Sequence, residues 1–227
     1  MAPKWLAFIP AWTCVDGSSG CVSVRLSPWQ SAGLRWAAHA ACALPLALLA
    51  WSVFRGTIGP DPIAQLTHTT GEWALRFLLL CLAMTPLRRL TNATWPLQFR
   101  RMLGLWAFAY ASTHLAVYVV LDLGAYWAQV FDDIAKRPFI TVGFAAWLLL
   151  IPLAITSTKG WMKRMGRRWG QLHRLIYAVA ILAVLHWLWL VKVVGTEPMV
   201  YVGIVAVLLG VRVWWARSKL LRQPRGA

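Results

Sequence analysis

The sequence predicts an all-α integral membrane protein, a bundle of six transmembrane helices. Three observations carry that expectation. Of 227 residues, 59% are hydrophobic and the mean hydropathy is +0.59, against roughly 45–50% apolar residues in a soluble domain. Six apolar runs, near 36–54, 70–87, 103–121, 139–156, 174–192 and 199–215, approach or reach the length of about 20 helical residues that crosses roughly 30 Å of hydrocarbon. The net charge of +16 is not spread evenly but alternates from one inter-helix segment to the next.

Taken in chain order, residues 1–34 form an N-terminal extension that is expected to be flexible, because its Gly, Ser and Pro content differs from everything that follows. A signal peptide is a weak reading of Lys4 and WLAFIPAW, since the apolar run is short and Pro10 breaks it. Cys14 and Cys21 fall on the side assigned to a reducing compartment, where a disulfide is not expected. Cys42 and Cys81 lie inside the first two spans and read as small buried hydrophobes. Residues 35–217 are the six-helix domain, with short connections and no internal repeat detected, and residues 218–227 form a basic tail.

Arg88, Arg89, Arg100 and Arg101 stand between spans two and three, Lys159 to Arg168 between four and five, and Arg217, Lys219, Arg222 and Arg225 in the tail. The intervening loops, 55–69, 122–138 and 193–198, hold most of the acidic residues. By the positive-inside rule both termini are cytoplasmic. The same division argues against nucleic acid as a partner, because the charge is split among short loops and forms no single face. The lipid bilayer is the expected surrounding. Loop 122–138, with Asp122, Asp132 and Asp133, is the longest acidic outer loop and the candidate docking surface, although a plain hydrophilic loop is the simpler account.

Histidines inside these spans carry the chemistry. Imidazole is costly in hydrocarbon unless it is ligated or hydrogen-bonded. His114 lies thirteen residues beyond the basic Arg101, about 20 Å up the third span at roughly 1.5 Å per residue. His186 lies a similar height up the fifth span, counted from Arg174. Two imidazoles matched in depth on rigid helices predict a b-type haem between spans three and five, near the outer leaflet. His173 sits at the cytoplasmic boundary, where three readings are open: an inner haem shared with His39, a ligand completed by water, or no partner. His68, in QLTHTTGE, reads as a solvated or capping residue of the outer loop. Arg76 could reach an outer haem's propionate, and Arg174 or Arg101 an inner one's, with snorkelling to lipid phosphate as the bland alternative. No carboxylate occupies the centre of a span, which weakens a proton-coupled transporter; a cofactor-free transporter or scaffold is the alternative to the redox reading.

The stretches GPDPIAQLTHTTGEWALRFLLLCLAMTPLRRL, FRRMLGLWAFAYASTHLAVYVVLDLG, KRPFITVGFAAWLLLIPLAITST and WGQLHRLIYAVAILAVLHWLWLVK resemble the ferric-reductase-like transmembrane family over most of residues 59–192. The resemblance implies haem ligands at His114, His173 and His186, with haem b, in one or two copies, and FMN as cofactors. It also implies a path for electrons from quinol, through the bacterial inner membrane, to a periplasmic molybdopterin enzyme that reduces methionine sulfoxide in damaged proteins. On this reading the chain is an electron-transfer subunit without a substrate-reducing site of its own. Larger relatives carry a cytoplasmic FAD and NAD(P)H domain, whereas this sequence has no Gly-rich dinucleotide turn. Reducing equivalents are therefore expected from quinol or a separate cytoplasmic flavin reductase.

Overall fold

The computed structural model describes residues 28–92, 96–191 and 195–222. The extension up to residue 27, with Cys14 and Cys21, lies outside the described residues, as does the end of the tail from residue 223. All regular structure among the described residues is helical. In chain order the helices are α1 (Pro28–Phe54), α2 (Pro62–Thr91), α3 (Pro96–Ala116), α4 (Trp127–Lys136), α5 (Pro138–Ile155), α6 (Lys159–Met165), α7 (Arg167–Leu172), α8 (Leu175–Leu190) and α9 (Thr196–Arg222). Helix α1 thus begins inside the stretch expected as an extension, and α9 runs into the basic tail.

Among the described residues, five segments are long and apolar enough to cross a membrane: Ala32–Phe54, Pro96–Asp122, Pro138–Ile155, Arg167–Leu190 and Thr196–Ser218. The run near 70–87 belongs to α2, which is longer but carries Glu72, Arg76, Arg88 and Arg89. Its polarity has a packing explanation. Helix α2 lies against α1, α3, α8 and α9, and Leu75, Phe77, Leu78, Leu79, Cys81 and Leu82 are buried on it, so much of its surface meets protein. It also starts well before residue 70, because Asp61 caps it through Ala64 N at 3.0 Å and Pro62 sets the first turn. His68 is accordingly helical and exposed, not a loop residue.

The two most extensive helix contacts are α2 with α3 and α5 with α8; α3 on α5 and α8 on α2 join these pairs. Helix α1 is attached to α3 in part by one unusual bond pair. Pro45 has no N–H and its ring crowds the preceding turn, which opens the α1 ladder. The Tyr110 hydroxyl of α3 enters there, donating to the Cys42 carbonyl at 2.9 Å and accepting from Leu46 N at 2.9 Å. Tyr110 is 1% exposed. Tyr110→Phe therefore strands a donor and an acceptor in an apolar setting and is expected to destabilise the solubilised protein by about 1–2 kcal/mol. Denaturant unfolding followed by tryptophan fluorescence checks this; an unchanged midpoint would mean that α1 closes its own ladder without the tyrosine.

The segment read as a hydrophilic loop, 122–138, is mostly the amphipathic helix α4. Helix α3 widens into a π-helical turn at Val117–Asp122, from which the Tyr118 hydroxyl donates to Asp133 at 2.6 Å. Asp133 also accepts from Gln129 at 2.8 Å and pairs with Arg137 at 3.3 Å. Tyr118 first, then Gln129 and the nearby Arg137 and Lys136, hold this carboxyl below its ordinary range although burial opposes them. The sign follows from the lowered value: its stabilisation is complete above about pH 3.9, the unfolded carboxylate value, and is lost as pH falls through the lower folded value. Acidification through that window should expose α4 to protease, and Asp133→Asn should remove the pH dependence.

Candidate haem site between two helix pairs

His114 of α3 and His186 of α8 face each other with ring centroids 6.2 Å apart and planes at 82°. Each ring is held by its Nδ1. His114 Nδ1 lies 2.9 Å from the Thr67 carbonyl of α2, and His186 Nδ1 lies 2.6 Å from the Phe139 carbonyl of α5. A carbonyl only accepts, so both Nδ1 atoms carry the proton and each neutral ring presents Nε2 as its lone-pair nitrogen. Backbone carbonyls commonly hold metal-ligating histidines in this way. The separation fits as well. A ligating imidazole nitrogen stands about 2 Å from a first-row metal, so two rings flanking one metal have centres roughly 6 Å apart. These residues therefore fit a bis-imidazole iron.

The two halves of the site use one device twice. In both, the histidine follows its carbonyl partner by 47 residues, and a glycine stands four residues after that partner: Gly71 after Thr67, Gly143 after Phe139. In a helix those two positions lie one above the other on the same face. A Cβ on Gly71 would lie 3.1 Å from His114 Cε1 and Nδ1, and one on Gly143 would lie 2.7 Å from His186 Nδ1 and 2.8 Å from its Cε1. The absent side chain is what lets each ring rest on the helix backbone and reach the carbonyl. Sequence reasoning named the histidines but found no repeat and neither glycine. The repeated His, carbonyl and Gly spacing was the available signal, but it emerges only once α2 with α3 and α5 with α8 are recognised as pairs.

His173 lies at the bend between α7 and α8. Its Nδ1 donates to the Trp169 carbonyl at 3.1 Å, its ring stacks on Trp169 at 4.0 Å, and its Nε2 is buried without a partner. It too is oriented as a ligand would be. His39, weighed as its partner, is occupied elsewhere. It is exposed on α1, and its Nδ1 accepts from Trp106 Nε1 at 3.1 Å. That bond places the imidazole proton on Nε2, the reverse of the tautomer found at His114 and His186. Arg76 is likewise committed: it pairs with Glu72 at 2.8 Å, donates to Tyr201 of α9 at 3.0 Å and lies over Trp73. It ties α2 to α9.

Fold and site together define a multi-pass helical membrane protein with two opposed, backbone-oriented histidines in its core. The chain belongs to the ferric-reductase-like transmembrane family, whose model, the ferric reductase like transmembrane component, matches residues 70–184. It is 60% identical over 182 residues to the protein-methionine-sulfoxide reductase heme-binding subunit MsrQ of Xanthomonas euvesicatoria pv. vesicatoria, covering 78% of this chain and 84% of that one. The MsrQ subunit of Caulobacter vibrioides is 47% identical over 186 residues, covering 82% and 87%. No solved structure matches the chain.

Proposed function

We propose that this chain is a membrane b-type cytochrome that carries electrons from the quinone pool across the bacterial inner membrane. The acceptor on this reading is an MsrP-like periplasmic molybdopterin methionine sulfoxide reductase, and the process served is repair of oxidised periplasmic proteins. Helices α1, α2, α3, α5, α8 and α9 are its six spans, with both termini cytoplasmic. The observation that supports it best is the His114 and His186 pair, each with Nδ1 committed to a carbonyl and Nε2 left for a metal. The MsrQ relatives are named as heme-binding subunits of a protein-methionine-sulfoxide reductase.

Bound between these rings, haem b would supply a one-electron carrier inside the low-dielectric barrier. The protein's part is to orient both imidazoles, to fix their tautomers and to keep water away through the surrounding apolar helices. His173 would serve a second, inner group. FMN belongs to the reading as a family cofactor, and a cytoplasmic flavin reductase as an alternative electron source.

The deciding experiment is a dithionite-reduced minus oxidised spectrum of the detergent-purified protein, with haem quantified per polypeptide as pyridine haemochrome. A low-spin b-type spectrum with about one haem supports the His114 and His186 site alone, and about two adds an inner site at His173. Anaerobic reduction of that haem by a quinol, followed by reoxidation on adding the periplasmic reductase, tests the direction of flow. No haem after expression with ample haem supply would sink the assignment.

A further inference from the structure

The polar groups that the outer histidine pair leaves unexplained gather in one place. Among the described residues, four buried side-chain atoms lack a hydrogen-bond partner: Thr85 Oγ1, His173 Nε2, and Nε and Nη1 of Arg212. Thr85 and His173 each stand about one helical turn from a residue that Arg212 touches. Arg212 reaches from α9 to both α2 and α8, its Nη2 donating to the Leu82 carbonyl and its guanidinium lying 4.9 Å over the Tyr177 ring. Thr85 is about one turn beyond Leu82 on α2, and His173 stands about one turn before Tyr177. Arg100 is close enough to act electrostatically on both Arg212 and His173.

A guanidinium keeps its charge in a protein and is expensive to bury without an opposite charge. Here the neighbouring charge is another arginine, which adds to the cost. No carboxylate of the described residues relieves it. Asp61, Glu72, Asp122, Asp132, Asp133 and Glu197 all lie in the part of the bundle reached from the opposite helix ends. The Leu82 carbonyl takes one N–H and the Tyr177 side chain lies against the guanidinium, yet Nε and Nη1, on two different edges of it, keep no acceptor, so an anionic oxygen reaching either edge would gain a charge-assisted bond.

We infer that Arg212 is the anchor for the anionic group of a bound ligand, a carboxylate or a phosphate, at the junction of α2, α8 and α9, with His173 and Thr85 lining the same place. The ligand sources considered, a haem propionate or the phosphate of a flavin mononucleotide, rest on the redox reading above. The half-buried guanidinium with two shielded, unpartnered nitrogens does not.

The test compares detergent-purified full-length protein with its Arg212→Gln and Arg212→Lys variants. Haem per polypeptide, flavin released on denaturation and the midpoint potential of each haem component are measured. Arg212→Gln is expected to lower one ligand's occupancy by about tenfold or to shift one component's potential, while the spectrum owed to His114 and His186 persists as the internal control; Arg212→Lys should restore part of the loss. Loss or shift of a second haem component identifies a carboxylate, and loss of flavin with haem unchanged identifies a phosphate. Wild-type haem content, potentials and flavin content in Arg212→Gln overturn the inference. If Arg212→Gln is not recovered folded, wild-type values in Arg212→Lys overturn the guanidinium anchor. A wild-type protein lacking both haem and flavin sinks the redox reading separately. In that case thermal stabilisation by inorganic phosphate, lost in Arg212→Gln, supports the anion site, and no stabilisation overturns it.

Discussion

Replacing His114 or His186 by alanine should remove most of the b-type absorbance attributed to the outer pair while the protein still inserts and stays helical. The two rings form the 6.2 Å pair, and each rests on the bare backbone of a glycine, Gly71 or Gly143. On the proposed function, loss of either imidazole would leave a bound haem with one protein nitrogen in place of two, and it would be held more weakly. The stability cost of either substitution is much smaller. It is one hydrogen bond to a carbonyl, about 1 kcal/mol, because the Thr67 and Phe139 carbonyls keep their helical partners. Haem per polypeptide and the reduced spectrum should therefore fall together while circular dichroism holds. Normal haem in both purified variants would end the bis-histidine assignment. Added imidazole should recover six-coordination in a His186→Gly protein if the defect is the missing ligand alone.

Gly143→Ala should be nearly as damaging, although it touches no ligand atom of the iron. Helix propensity alone favours alanine over glycine by about 1 kcal/mol, so a mutation acting only through the backbone would be neutral or stabilising. Against that, the new Cβ would stand 2.7 Å from His186 Nδ1, a separation the ring must escape by giving up its bond to the Phe139 carbonyl. Disturbing a partner that orients a metal ligand typically costs about 10–100-fold in metal affinity, or roughly 1.4–2.7 kcal/mol. Gly71→Ala should be milder, since its contact with His114 is 3.1 Å and a shift of a few tenths of an ångström absorbs it. Gly203→Ala on α9, where a Cβ meets nothing within 4 Å, is the control. Haem retention after size-exclusion chromatography should rank Gly203→Ala, Gly71→Ala, then Gly143→Ala as the weakest. Equal retention in all three would show that ring placement does not depend on the bare helix surface.

Legibility in the sequence followed the range of the interaction involved. Apolar runs are local: α5 and α8 lie within two residues of the runs expected for them, while α1, α3 and α9 fall on theirs but overrun them by seven or eight residues at one end. Depth along a helix is also local, because the rise per residue is constant, and counting from the basic loops placed His114 and His186 at one height. Helix α4 was missed because Gln129, Asp132, Asp133 and Lys136 interrupt its apolar residues and look like a loop until Asp133 is seen turned inward to Tyr118. The early start of α2 was missed for a similar reason: its first turns are polar, and the Asp61 cap, not apolar burial, begins the helix.

The sequence by itself determined that this is a helical membrane protein with its basic residues at alternate connections and its histidines inside apolar helices. Hydropathy and charge are properties of residues, and they need no neighbour to be read. Only the tertiary structure decided which hydrogen bonds those histidines make. It assigned His114 and His186 to carbonyls on partner helices, His39 to Trp106, and Arg212 to a buried place without a counter-charge. Such pairings depend on which helix faces meet and how closely. That is settled by packing at positions such as Gly71 and Gly143, where the decisive feature is a side chain that is absent.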